Sequence, residues 1–158
     1  MRKHFEKQTE LGLELISEVD LSMRSRDQLP KLLAGLQYIF VTKEVNASVF
    51  ELLENKIYSK KNDTGRPGMS LWEILVLGVV RLSLNVDYDR LHYMSNYDEK
   101  LRGILGVNGI SGDWKIRKEY KLQTIKDNVC LLDEATIKSI NLLIISAGHE
   151  LKKKRKKW

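Results

Sequence analysis

The stretch from Leu71 to Leu84 constrains this chain more than any other, because it is apolar nearly all round and offers water almost no face. Only Glu73 and Arg81 interrupt it with charge, and it is too short to span a bilayer. A helix of this kind belongs at the centre of a domain, ringed by other elements. Its β-branched residues would also suit a buried strand, but its length and its start favour a helix. Ser70-Leu-Trp-Glu73 reads as a capping box, in which the serine accepts from the N3 amide and the glutamate reaches back.

The rest of the chain supplies amphipathic partners for that centre. Two prolines and leucines and isoleucines at three- and four-residue spacing predict an all-α fold. A first helix is expected over about Lys3 to Val19, with Leu11, Leu15 and Val19 on one stripe. Asp27 can cap a second, carrying Pro30 in its first turn and Leu29, Leu32, Leu33, Leu36, Ile39 and Phe40 inward. Asn46 is expected to cap a third, with Val49, Phe50, Leu53 and Ile57 inward. Ser59 to Gly68 reads as a linker rich in turn formers.

Beyond the central helix, Asn85-Val-Asp87 breaks the pattern, and Asp87 caps a short helix with Tyr88, Leu91 and Met94 inward. Ser95-Asn-Tyr97 is read as a second turn, and Asp98 caps the next helix, with Leu101, Ile104 and Leu105. Short helices parted by turns of this length make a helix-turn-helix pattern. Gly106, Gly109 and Gly112 mark a mobile loop leading into an extended basic stretch, Lys115 to Lys121. Leu122, Ile125, Val129 and Leu132 form a further stripe, and Asp133 caps a last helix with Ile137, Ile140, Ile144, Ala147 and Leu151. That heptad-like seam is short, so it is expected to pack on the domain. The expected architecture is an all-α, multi-helix bundle containing a helix-turn-helix-like segment and a flexible basic C-terminal tail. Its parts are an N-terminal helical segment (1–64), a second helical region (65–151) and the tail (152–158).

Charge and composition narrow the function. The net charge is +6, and Lys152 to Lys157 carry six basic residues, so the remainder is formally neutral. Any basic face elsewhere must come from local clustering. A single cysteine, Cys130, excludes an internal disulfide and a cysteine-rich zinc site. The first ten residues are charged and lack the apolar core of a secretory signal, so a cytoplasmic location is expected and the sequons at Asn46 and Asn62 are idle.

Catalytic chemistry finds little support. Strand transfer needs acidic residues converging on Mg²⁺ from a rigid scaffold. Here Asp87, Asp89, Asp98, Glu99, Asp113, Asp127, Asp133 and Glu134 fall nearly all at expected caps or exposed helix faces. His4, His92 and His149 have no metal-ligand spacing, and Cys130 reads as a small core residue. Gly106 to Gly112 resembles neither a P-loop nor a dinucleotide fingerprint. No catalytic residue, metal or cofactor is expected. The basic residues suggest more: Lys60, Lys61 and Arg66 precede the central helix, while Lys115, Arg117, Lys118, Lys121 and Lys126 cluster with Trp114 and Tyr120. Basic side chains beside aromatics and a helix-turn-helix pattern suit phosphate contacts, against the plainer reading of a solvated face.

From Gly65 the chain resembles the N-terminal region of insertion-sequence transposases of the DDE type. The likeness rests on Gly65-Arg-Pro-Gly-Met-Ser-Leu-Trp-Glu through Asn85, on Asp87-Tyr-Asp-Arg-Leu91, and on Leu101-Arg-Gly-Ile-Leu-Gly106. Tyr120 to Val129, Leu131-Leu-Asp-Glu134 and the last helix resemble the stretch before that family's catalytic domain. The resemblance implies binding to the terminal inverted repeats of a mobile element. Arg66, Arg81 and Arg90 match basic positions of the family pattern, although Arg81 also suits a structural pair. The family's acidic triad lies in an RNase H-like domain, and none of it can be carried over. The expected partner is double-stranded DNA at transposon ends, with a homodimer or full-length transposase as a further partner and no membrane. The alternatives are a truncated product acting as an oligomerisation partner or inhibitor of full-length transposase, an unrelated helix-turn-helix repressor and a decayed remnant. The likeness fails within the lysine run, as a frame change in an adenine-rich tract would produce.

Overall fold

The computed structural model describes residues 14–21, 27–58, 69–108 and 118–143, and their regular structure is all helical. The helices are α1 (Gln28–Val41), α2 (Lys43–Tyr58), α3 (Leu71–Leu84), α4 (Tyr88–Tyr97), α5 (Glu99–Leu105), α6 (Leu122–Val129) and α7 (134–143). As its composition demands, α3 is the hub: α1, α2, α4, α5 and α6 all pack against it. Every residue from Leu71 to Gly78 is buried. Leu71, Ile74, Leu75 and Leu77 are fully so, each contributing roughly 2 kcal/mol of hydrophobic stabilisation at most. Helix α1 also packs on α5, so the helices before and after residues 59–68 share one core. No described helix is long and apolar enough to cross a membrane.

Local sequence signals set most helix starts. Asp27 accepts from the Leu29 amide, Asp87 from Arg90, Asp98 from Leu101 and Asp133 from Thr136. These carboxylates are used as caps, each stabilising its helix by about 1 kcal/mol. At α3, Ser70 Oγ accepts from the Glu73 amide at 3.2 Å, as expected. The reciprocal arm differs: the Ser70 hydroxyl itself donates to Glu73 Oε1 at 3.0 Å. Asn85, at φ 52°, closes α3 in the left-handed region that Asn tolerates best after Gly. Gly106 closes α5 the same way, at φ 77°.

Four expectations need correction. The helix expected over Lys3 to Val19 lies mostly outside the described residues; its described end is one 3₁₀ turn, Ile16–Glu18. Tertiary bonds override the helical spacing there: Glu14 N–H donates to Asn108 O, and the Gln37 amide donates to the carbonyls of Ile16 and Val19. Asn46 does not cap α2, which begins at Lys43; it donates from within α2 to Phe40 O and so finishes α1. Ser95-Asn-Tyr97 is no turn but the end of α4, with Asp98 alone joining α4 to α5. The Ser95 hydroxyl and Asn96 amide donate back to His92 O, satisfying inside a helix the groups that signal a turn. Cys130 is exposed rather than core, because α6 ends at Val129 and its buried side runs through Ile125, Asn128 and Val129. The seam beyond residue 143 and the basic tail lie outside the described residues.

Candidate nucleic-acid interface

Four of the nine expected contact residues fall within the described structure. Arg90 is exposed on α4, its guanidinium 5.6 Å from the centre of the Tyr93 ring. Lys121 and Lys126 are exposed at the start and in the last turn of α6. Lys118 stands just before that helix. Lys60, Lys61, Arg66, Lys115 and Arg117 lie outside the described residues. Arg81 rests 4.4 Å over the Tyr88 ring, a partner within its own framework.

Lys118 is the most constrained of the four. Its ammonium donates to both oxygens of Glu73, at 3.2 and 3.0 Å, and lies 5.1 Å from the centre of the Tyr120 ring. Half of its side-chain surface still faces solvent, whereas the Glu73 side chain is 11% exposed. The backbone on either side is clamped as well. Asn96 Nδ2 donates to Tyr120 O at 3.0 Å, and Tyr120 N–H donates to Asn96 Oδ1 at 2.8 Å, copying a strand-like pair. Arg102, only 3% exposed, donates to the carbonyls of Lys118 at 2.8 Å and Ser95 at 2.9 Å. Arg102 is not among the residues that the sequence singled out. The missed signal is its place between Leu101 and the Gly103-Ile-Leu run, where a charged side chain has no solvent to reach.

The consequence is topological. Residues 59–68 rejoin the described structure at Met69, just before Ser70, and residues 109–117 rejoin it at Lys118. Ser70 and Lys118 both donate to the same Glu73 carboxylate. The described residues that follow two basic stretches of the sequence, one carrying Lys60, Lys61 and Arg66 and the other Lys115 and Arg117, therefore meet at one end of the α3 hub.

Charge is divided in the same sense. The described residues include 11 Lys and Arg against 16 Asp and Glu; all other residues include 16 against 5. The framework is net acidic, and the positive charge of the chain belongs to the connecting and terminal stretches. Several framework cations are engaged inside it, Arg102 on carbonyls, Lys118 on Glu73 and Arg81 on Tyr88.

Burial, reinforced by the adjacent Glu73 carboxylate and only partly opposed by Arg102, pushes the Tyr120 phenol far above its ordinary value. Its hydroxyl is buried without a hydrogen bond of good geometry. A raised folded-state value gives stability that is whole below the unfolded phenol value, near 10, and is lost as pH climbs above it. Tyr120 is thus expected to resist ionisation in an alkaline absorbance titration until the chain unfolds. Tyr120→Phe should leave neutral-pH stability within about 1 kcal/mol and lessen the alkaline loss.

Among groups of Asp, Glu, His and Cys in the described residues, none gathers three together as a metal would require. Compared with known protein families, with curated proteins and with solved structures, the chain matches none.

Proposed function

We propose that this chain is the DNA-binding helical part of an insertion-sequence transposase of the DDE type, gripping duplex DNA at the ends of its element without cutting it. The observation that carries the reading is the shared anchor on Glu73, where the residues that follow two basic stretches meet at one end of a net acidic framework. Phosphates attract the basic stretches, and the acidic remainder disfavours other approaches, so the charge pattern orients the chain on the duplex. The order of motifs from Gly65 to Leu151 supports the transposase assignment. The short helices α4 and α5, both capped by aspartate, and then α6 follow the hub in the order that a helix-turn-helix reader needs.

The test is a fluorescence-anisotropy titration of a labelled duplex across a range of salt. Five phosphate contacts, from Lys60, Lys61, Arg66, Lys115 and Arg117, predict a contribution of about −4 to −5 to the log–log slope, at roughly 0.9 per phosphate, to which the contacts of the tail add. With Mg²⁺ or Mn²⁺ present, the duplex should emerge uncut; specific nicking that survives repurification would contradict a purely binding role.

A further inference from the structure

Helix α4 has a second side that the shared anchor does not use. Its inner side carries Leu91, Met94 and Asn96 into the fold. On its outer side Arg90, Tyr93 and Tyr97 follow at spacings of three and four, which place them on one stripe. Tyr93 is 55% exposed and Tyr97 66%. Their rings lie 4.9 Å apart at 38°, and the Arg90 guanidinium sits over Tyr93. Beside them runs a cleft of about 310 Å³ with an apolar floor that includes Leu29 and Met94. The carboxylates at its margin, Asp27 and Asp98, each accept a backbone amide at a helix N-terminus, which offsets their charge. The stripe borders the anchored end of the fold, because Asn96, next to Tyr97, is the residue that holds the Tyr120 backbone.

We infer that Tyr93 and Tyr97 form a stacking platform for an unpaired nucleobase of the bound DNA, with Arg90 taking the phosphate beside it. The inference rests on the DNA-binding reading above and adds the state of the DNA: a strand with a displaced or frayed base. An exposed tyrosine ring accepts any base by its face, and an adjacent arginine supplies both stacking and charge. Neither needs sequence-specific hydrogen bonds. A paired duplex keeps its bases stacked on one another and gives the rings nothing to bind.

The experiment uses the full chain and two duplexes of one sequence, one fully paired and one with a single unpaired 2-aminopurine. The unpaired duplex is expected to bind about ten-fold more tightly, with quenching of the 2-aminopurine fluorescence by the rings. The double variant Tyr93→Ala/Tyr97→Ala should lose that advantage and the quenching while binding the paired duplex within about two-fold of wild type. Tyr93→Phe/Tyr97→Phe should keep both, since the ring and not the hydroxyl does the stacking. A circular-dichroism melt confirms that the variants fold. An advantage that survives in the alanine variant overturns the platform and leaves the DNA-binding reading intact. A wild-type chain that binds neither duplex overturns both. An alanine variant that alters sedimentation instead of DNA binding marks the stripe as a protein contact and also overturns the proposal.

Discussion

Arg102→Met should cost the fold about 3 to 5 kcal/mol, lowering the melting temperature by on the order of 10 °C. Arg102 is 3% exposed, and its guanidinium donates to the carbonyls of Ser95 and Lys118, at 2.9 and 2.8 Å. Methionine fills similar volume and satisfies neither oxygen. Each orphaned, buried carbonyl costs about 1–3 kcal/mol, and the packing of α4, α5 and residues 118–120 depends on the same group. Replacing a buried ion pair by apolar residues can be neutral, but here the partners are backbone carbonyls that no substitution removes. Arg102→Lys should recover only part of the loss, because an ammonium lacks the planar fork that reaches two carbonyls at once. Urea unfolding followed by tryptophan fluorescence measures this directly. Methionine at full stability would show that Arg102 is not the clamp described.

Gly78→Val is expected to be nearly as damaging, at about 3 kcal/mol, for a steric reason. A Cβ on Gly78 would overlap Leu132 Cδ2 and sit 3.1 Å from Leu132 Cβ, so the hub and the turn after α6 touch only because glycine has no side chain. Leu132 is itself 2% exposed and cannot swing into solvent without leaving the core. Gly78→Ala gains about 1 kcal/mol of helix propensity, which offsets part of its milder clash. The decisive comparison is therefore a double-mutant cycle. Leu132→Ala alone should destabilise by about 2–5 kcal/mol, but paired with Gly78→Ala the two losses should fall short of their sum by more than about 1 kcal/mol. Simple additivity would contradict the close approach.

The features legible in the sequence share a property: each is decided within a few residues. The all-round apolar character of Leu71 to Leu84 placed α3 at the centre, and the carboxylates at Asp27, Asp87, Asp98 and Asp133 marked helix starts correctly. What stayed hidden depends on distant partners. Asn46 and Ser95-Asn-Tyr97 carry turn chemistry, yet their side chains satisfy carbonyls of helices, an outcome that only packing decides. The region before α1 has helical spacing, but Gln37 and Asn108 draw its backbone bonds elsewhere. For the interface, the clustering of basic residues was visible along the chain, while its shared anchor was not. Glu73 looked like half of a capping box; that it holds Lys118, 45 residues away, is a fact of topology. The outer stripe of Tyr93 and Tyr97 was hidden by the turn expected in its place.

The measurement that bears most directly on the proposed role is the salt dependence of duplex binding in two variants of the full chain. One replaces Lys152 to Lys157 by glutamine; the other reverses charge at Lys60, Lys61, Arg66, Lys115 and Arg117. If the stretches leading to the Glu73 anchor hold the DNA, the glutamine variant binds more weakly but keeps a slope of about −4 to −5. Charge reversal then lowers affinity by at least about a hundred-fold and makes the slope shallower by about 4 to 5. The opposite pattern, with binding lost in the glutamine variant and retained after reversal, would assign the charge of this chain to a nonspecific tail and contradict the interface proposed for its helical domain.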